Sequence, residues 1–211
     1  MPPALAIVDH KQDGCEYPEK ILCGTGIAFK LAQALLKEKP IGDEKETLDF
    51  EKRLLDLVGI ATIADRVPLV GENRALAKFG LVMLRRTRRP GLVELFRQLK
   101  LKQDHLTEED IAFSIAPALN AAGRMSHADE ALALLSTESA EEASALATNL
   151  VSLNKSRKAD GGAMMAEIER RVEMLAKLPE VICVGDHSWS PGVVSGVASK
   201  VLERYQRPVC L

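Results

Sequence analysis

Asp65 closes an unbroken run of small and apolar residues, Gly59-Ile60-Ala61-Thr62-Ile63-Ala64. A single carboxylate in that position is either a helix cap or a metal ligand held at a strand end, and the residue types leave both open. A second segment, Ala116 to Met125, offers Asn120 and Arg124 as donors among small residues that let backbones approach, and Gly123 permits dihedrals closed to other residues. Arginine beside a small-residue turn suits phosphate, because its planar fork matches phosphate oxygens. A surface salt bridge and an Asn turn would give the same pattern. The third segment, Asp186 to Gly192, reads as a loop ahead of a helix, and a helix N-terminus is a ready anion site. It holds the one tryptophan, Trp189, placed either to stack on a base or to plug a domain interface.

The elements that must position these residues follow from the apolar spacing. Ala4 to Val8 reads as a buried strand. Gly24-Thr25-Gly26 then opens a helix with Ile27, Ala28, Leu31, Ala34 and Leu35 at helical spacing, broken by Pro40 to Asp43. A second helix carries Leu48, Leu54, Leu55 and Val58 on one face, and a third runs from Asn73 to Arg86, ending in arginines where cations favour a helix C-terminus. Thr107-Glu108-Glu109-Asp110 resembles a capping box before Ile111, Ile115 and Leu119. Ser139 repeats that start and opens a long helical pattern reaching Pro179, which Gly161-Gly162 would kink or split. A strand over 181–184, a loop over 185–192, a helix over 193–205 and the beginning of a strand at Arg207 complete the chain. Starting on an apolar strand and stopping inside another, the chain reads as truncated at both ends.

Composition narrows the class. The 211 residues are 46% apolar and 27% charged, the balance of a soluble globular protein of one domain or slightly more. Aromatics are only 4%, so Leu, Ala, Val and Ile must build the core. A net charge of −2 argues against a uniformly basic nucleic-acid coat but allows a local basic groove. No apolar run approaches the roughly 20 residues of a membrane span. Cys15, Cys23, Cys183 and Cys210 have neither zinc spacing nor disulfide density, which suits a reducing cytoplasm.

Four segments in register resemble the RecJ branch of the DHH phosphoesterases. Ala4 to Val8 through Lys11-Gln12, with Leu22 to Lys30, matches the stretch after the DHH signature. Thr62 to Leu69 with Glu72-Asn73-Arg74 is similar to the fourth motif, whose aspartate binds metal. Leu119 to Met125 matches the "LNAAGR" segment, and Trp189 to Val194 with Ala198-Ser199 and Arg207-Pro208 resembles the start of the DHH-associated domain. Asp9-His10-Lys11 imitates the DHH signature, but Gly24-Thr25-Gly26 follows too closely, so Asp9 and His10 are not assigned to metal. The family usually has glycine at Ala61, arginine at Ala118 and histidine at Ser190.

The resemblance implies an α/β fold: the C-terminal part of a DHH-type parallel-sheet domain (1–138), a long interdomain helix (139–178) and the first βαβ of a DHH-associated domain (179–211). It implies a metal-dependent exonuclease of DNA repair and recombination, removing nucleotides from the 5′ end of single-stranded DNA with two Mn²⁺ or Mg²⁺ ions. Asp65 maps to the metal-ligand position, and Asn120, Gly123, Arg124, Trp189, Ser190, Pro191 and Gly192 map to the nucleic-acid cleft. Single-stranded DNA is the implied partner, with a single-strand-binding protein or a helicase as protein partners and no membrane. One aspartate cannot hold two divalent ions, each of which takes about six oxygen ligands, so the chain is expected to be inactive alone. The alternatives are a non-catalytic module binding single-stranded DNA or protein, and a DHH phosphodiesterase acting on short oligonucleotides or cyclic dinucleotides.

Overall fold

A computed structural model describes residues 3–211, which divide into two compact units, 3–116 and 117–211. In the first, α1 (Gly24–Glu38), α2 (Glu44–Ala64) and α3 (Gly71–Leu84) pack together, followed by α4 (Pro90–Gln98). Asp43 starts α2 with a full capping box: its carboxylate accepts from the Glu46 N–H at 2.8 Å, and Glu46 accepts from the Asp43 N–H at 3.1 Å. The 21-residue α2 runs straight through Gly59 to Ala64. Small residues are needed there because α2 and α3 cross at Gly59 and Gly80. A Cβ on Gly80 would sit 2.5 Å from the Gly59 Cα.

Two expectations for this unit fail. Ala4 to Val8 forms no strand, and Leu5 and Val8 are exposed, because no other strand among the described residues of the unit offers its backbone as a ladder. On α1 the buried stripe is Gly26, Phe29 and Leu36, facing α2, while Leu31 and Leu35 of the expected face lie open to solvent. Leu48 on α2 is exposed as well. The spacing was helical, but Phe29 rather than Leu31 supplies the bulk that α2 packs against.

Thr107 and Asp110 form the expected capping box and start α5 (Glu108–Asp110). A five-residue π-helix, Ile111–Ile115, and α6 (Ala116–Met125) continue it. The wide turn precedes Pro117, which lacks an N–H and whose ring would crowd the Phe113 carbonyl in a regular helix.

The second unit carries α7 (Asp129–Ser136), the 34-residue α8 (Ala140–Glu173), β1 (Ile182–Cys183), α9 (Pro191–Tyr205) and β2 (Val209–Cys210). Ser139 caps α8 by accepting the Glu142 N–H at 3.3 Å. The helix neither splits nor breaks at Gly161-Gly162; Gly161 is buried with room for Val193 and Val197 of α9. β1 and β2 are parallel, with Ile182 opposite Val209 and α9 as the crossover, so the βαβ unit is formed. Its core is Met164, Ile168 and Val172 of α8, Ile182 of β1, and Val193, Val197 and Val201 of α9. The chain is thus mostly helical with a small parallel sheet, an α/β arrangement.

Candidate functional site

Asp65 occupies the C-cap of α2, with φ −78° and ψ −3°, and its side chain is exposed. Arg66 follows in the left-handed region at φ 53°, which turns the chain out of the helix. The descending turn is held by Asn73, fully buried at the start of α3, whose side-chain N–H groups donate to the carbonyls of Ile21 (2.8 Å) and Pro68 (3.2 Å). Next to it, Glu72 accepts from the Tyr17 hydroxyl at 2.6 Å and pairs with Lys30. Burial acts to raise the Glu72 carboxyl, but the hydrogen bonds from Lys30 and Tyr17 outweigh it and hold the group below its ordinary value. No hydrogen bond or ion pair ties down the Asp65 carboxylate itself among the described residues. Nor do any three His, Cys, Asp or Glu side chains among them come together as metal ligands. Asp9 and His10 lie in the loop before α1. His10 is buried, with its Nδ1 3.8 Å from Asp9.

In the second unit the structure brings two of the expected segments together. Asn120, Gly123 and Arg124 are on α6, so the stretch expected to be a turn is helical, and Asn120 and Arg124 share a face at i, i+4. Gly123 has ordinary helical backbone, and a Cβ there would only touch Ala128 at 3.8 Å, so its conformational freedom is not used. The end of α6 lies directly on the start of α9: a Cβ on Gly192 would fall 2.1 Å from the Arg124 carbonyl oxygen. Here only glycine fits. Pro191 opens α9 at its first position, where a missing N–H costs nothing. The Ser190 N-cap makes no side-chain capping bond and the first turn carries no acidic residue; the group lying against this end is the Arg124 carbonyl of α6.

Trp189 is half-buried against the core of the same unit, and the Arg171 guanidinium lies 5.6 Å from its ring centroid. Arg171 also donates to Asp186 at 3.0 Å, while Asp186 accepts from the Ser188 backbone N–H at 3.0 Å and hydroxyl at 2.7 Å. The Ser188 bonds first and Arg171 second lower the Asp186 carboxyl from 3.8 to about 2. Trp189 thus packs against the core of its own unit.

Sequence reading missed Asn154 and Arg157 on α8. Asn154 is 5% exposed, in line with Leu150, Gly161 and Met164 on the buried stripe, and its carbonyl oxygen accepts from Arg157 at 2.9 Å. A polar residue interrupting an apolar stripe is the signal that could have found it. Burial, and after it the nearby charge of Arg124, hold Arg157 below the usual arginine value.

No family model matches the chain. Over 208 residues, 99% of this chain, it is 46% identical to the single-stranded-DNA-specific exonuclease RecJ of Bacillus subtilis and spans 25% of that relative. The crystal structure of RecJ from Thermus thermophilus in complex with Mg²⁺ aligns with a TM-score of 0.75 at 36% identity, over 92% of this chain and 29% of that one. The chain belongs to the RecJ family. A RecJ structure bound to manganese aligns similarly, with a TM-score of 0.77 at 34% identity over 92% of this chain and 47% of that one. The chain therefore spans only part of the RecJ proteins it matches, and the RecJ segments at Leu119 to Met125 and Trp189 to Val194 are the two that the fold of the second unit places in contact.

Proposed function

We propose that this chain is part of a 5′-to-3′ single-stranded-DNA-specific exonuclease, supplying phosphate-binding residues and one metal ligand, and that it does not hydrolyse DNA alone. The observation that carries the reading is the seating of the α6 end on the α9 start through Gly192. That contact gathers Asn120, Gly123, Arg124, Ser190, Pro191 and Gly192 on one unit, as a strand of phosphates requires. The divalent metal of such an enzyme would act as Lewis acid on the scissile phosphate. The donors present here do not make that site: Asp65 is a single carboxylate, and a metal pair needs several more. The remaining ligands would come from segments that the longer relatives carry and this chain does not contain. Domain boundaries at 138 and 178 belong to the same reading, with the long helix over 139–178 as the connection between the two parts. Four free cysteines suit the cytoplasm it implies.

The test is release of nucleotides from 5′-labelled single-stranded DNA with Mn²⁺, comparing the chain with Asp65→Ala. No release from either protein is expected. Release that Asp65→Ala abolishes would show that this chain builds a working metal site unaided.

A further inference from the structure

The four cysteines are not equivalent. Cys23 is buried at the N-cap of α1, where its Sγ accepts from the Gly26 N–H at 3.3 Å, and Cys15 is half-buried in the loop before that helix. Cys183 and Cys210 are free and exposed, and the register of the parallel ladder sets them opposite one another, Cys183 on β1 and Cys210 on β2. Backbone bonds hold that register on either side. The Ile182 N–H donates to the Pro208 carbonyl at 2.9 Å, and the Val184 N–H donates to the Cys210 carbonyl at 3.1 Å. Side chains alternate along a strand, and the preceding pair, Ile182 and Val209, packs into the core with α8 and α9. Both thiols therefore stand on the open face of the sheet. Neighbouring strands lie about 4.7–4.9 Å apart, within the Cα separation of about 4.4–6.8 Å that a disulfide spans. The Cβ atoms of such a bond stand about 3.5–4.5 Å apart, so closing it draws the two short strands slightly together.

We propose that Cys183 and Cys210 are a dithiol site that exchanges with low-molecular-weight disulfides of the glutathione type to form a reversible cross-strand disulfide. One protein thiolate attacks a sulfur of the small disulfide, forms a mixed disulfide and releases one small thiolate. The second protein thiolate attacks the cysteine sulfur of that mixed bond, closes the Cys183–Cys210 bond and expels the other small thiolate. The protein loses two electrons and two protons, and one small disulfide becomes two small thiols. The closed bond ties β2 to β1 around α9, the helix whose Gly192 seats on Arg124 of α6. Exposed and drawn in from the ladder spacing, it is of the labile kind that a reducing thiol pool reopens. The site stands independently of the exonuclease reading.

The experiment incubates the folded 211-residue chain with a graded series of oxidised and reduced glutathione. Free thiols are then trapped by alkylation, and the masses of the chain and of its proteolytic peptides are read. The expected product is a chain lighter by two hydrogens, with the peptides of Cys183 and Cys210 joined. Excess reduced glutathione should return it to the dithiol. Cys183→Ser and Cys210→Ser should each stop at the mixed disulfide, carrying glutathione on the remaining partner. Closure should raise the thermal midpoint of the wild type by about 5 °C, and of neither variant. The same treatment in concentrated urea should lose the preference for this pair, because the folded ladder is what brings the two thiols together. A folded wild type that carries glutathione on Cys183 and on Cys210, with no bond between them, overturns the proposal. So does a folded wild type in which both stay reduced, or one in which either pairs with Cys15.

Discussion

The carboxylate of Asp65 lies at the C-terminal end of a 21-residue helix, where unpaired backbone carbonyls already carry partial negative charge, and no cation among the described residues answers it. Local stability would favour a neutral or cationic residue there. Asp65→Asn should therefore raise stability by about 0.5 kcal/mol, seen as a thermal midpoint about 1–2 °C higher; a lower midpoint would mean that Asp65 has a stabilising partner. Asp186 shows the opposite arrangement, with Ser188 and Arg171 both favouring its charged form. Its carboxyl lies at about 2 in the folded chain against an ordinary 3.8, so its contribution is full above 3.8 and is lost as pH falls through about 2. Because the Trp189 backbone N–H donates to the Asp186 backbone carbonyl at 3.2 Å, in the same loop that the Asp186 carboxylate braces, emission of the single tryptophan should change over that acid window. Asp186→Asn should show the changed emission already at neutral pH. Identical acid titrations of the two proteins would remove Asp186 from the loop's support.

At the scale of the elements, what was legible depended on whether the signal was local. Capping residues name their own helix, and Thr107 and Ser139 were read correctly because the bonds they make lie within three residues. A strand names only half of its pairing, so Ala4 to Val8 could be apolar without finding a ladder. The reason for Gly59 in its run of small residues was not legible because it answers to Gly80 of α3, far along the chain, and not to its neighbours. Arg157 escaped because the long helix was read for its leucines. The glycines test this distinction between local and distant causes. Gly80→Ala pushes a methyl into the backbone of α2, 2.5 Å from Gly59 Cα and 2.7 Å from the Leu55 carbonyl oxygen. It should destabilise by about 1–3 kcal/mol, read in urea unfolding. Gly162→Ala, in the interior of α8 with nothing within 4 Å, should instead stabilise by about 1 kcal/mol. Destabilisation by both would mean that α8 is not continuous through Gly161-Gly162.

On the scale of the whole chain, metal and stability separate the proposed part from a complete enzyme. A formed site with a dissociation constant of about 10 μM, given about 1 mM Mn²⁺, would stabilise the folded state by about 2.7 kcal/mol. For a chain of this size that is a rise of about 5–10 °C in the thermal midpoint, far beyond scatter. The described residues hold no cluster of three potential ligands, and Asp65 is the one carboxylate proposed above as a metal ligand. A lone exposed carboxylate binds Mn²⁺ too weakly to move the midpoint at that concentration, since water already supplies better ligands. Differential scanning calorimetry with and without about 1 mM Mn²⁺ should therefore give midpoints within about 1 °C of each other. The Asp65→Ala protein should respond to the metal no differently. A rise of about 5 °C that Asp65→Ala removes would show that the folded chain gathers a metal site around Asp65, and hydrolysis by this chain alone would again be open.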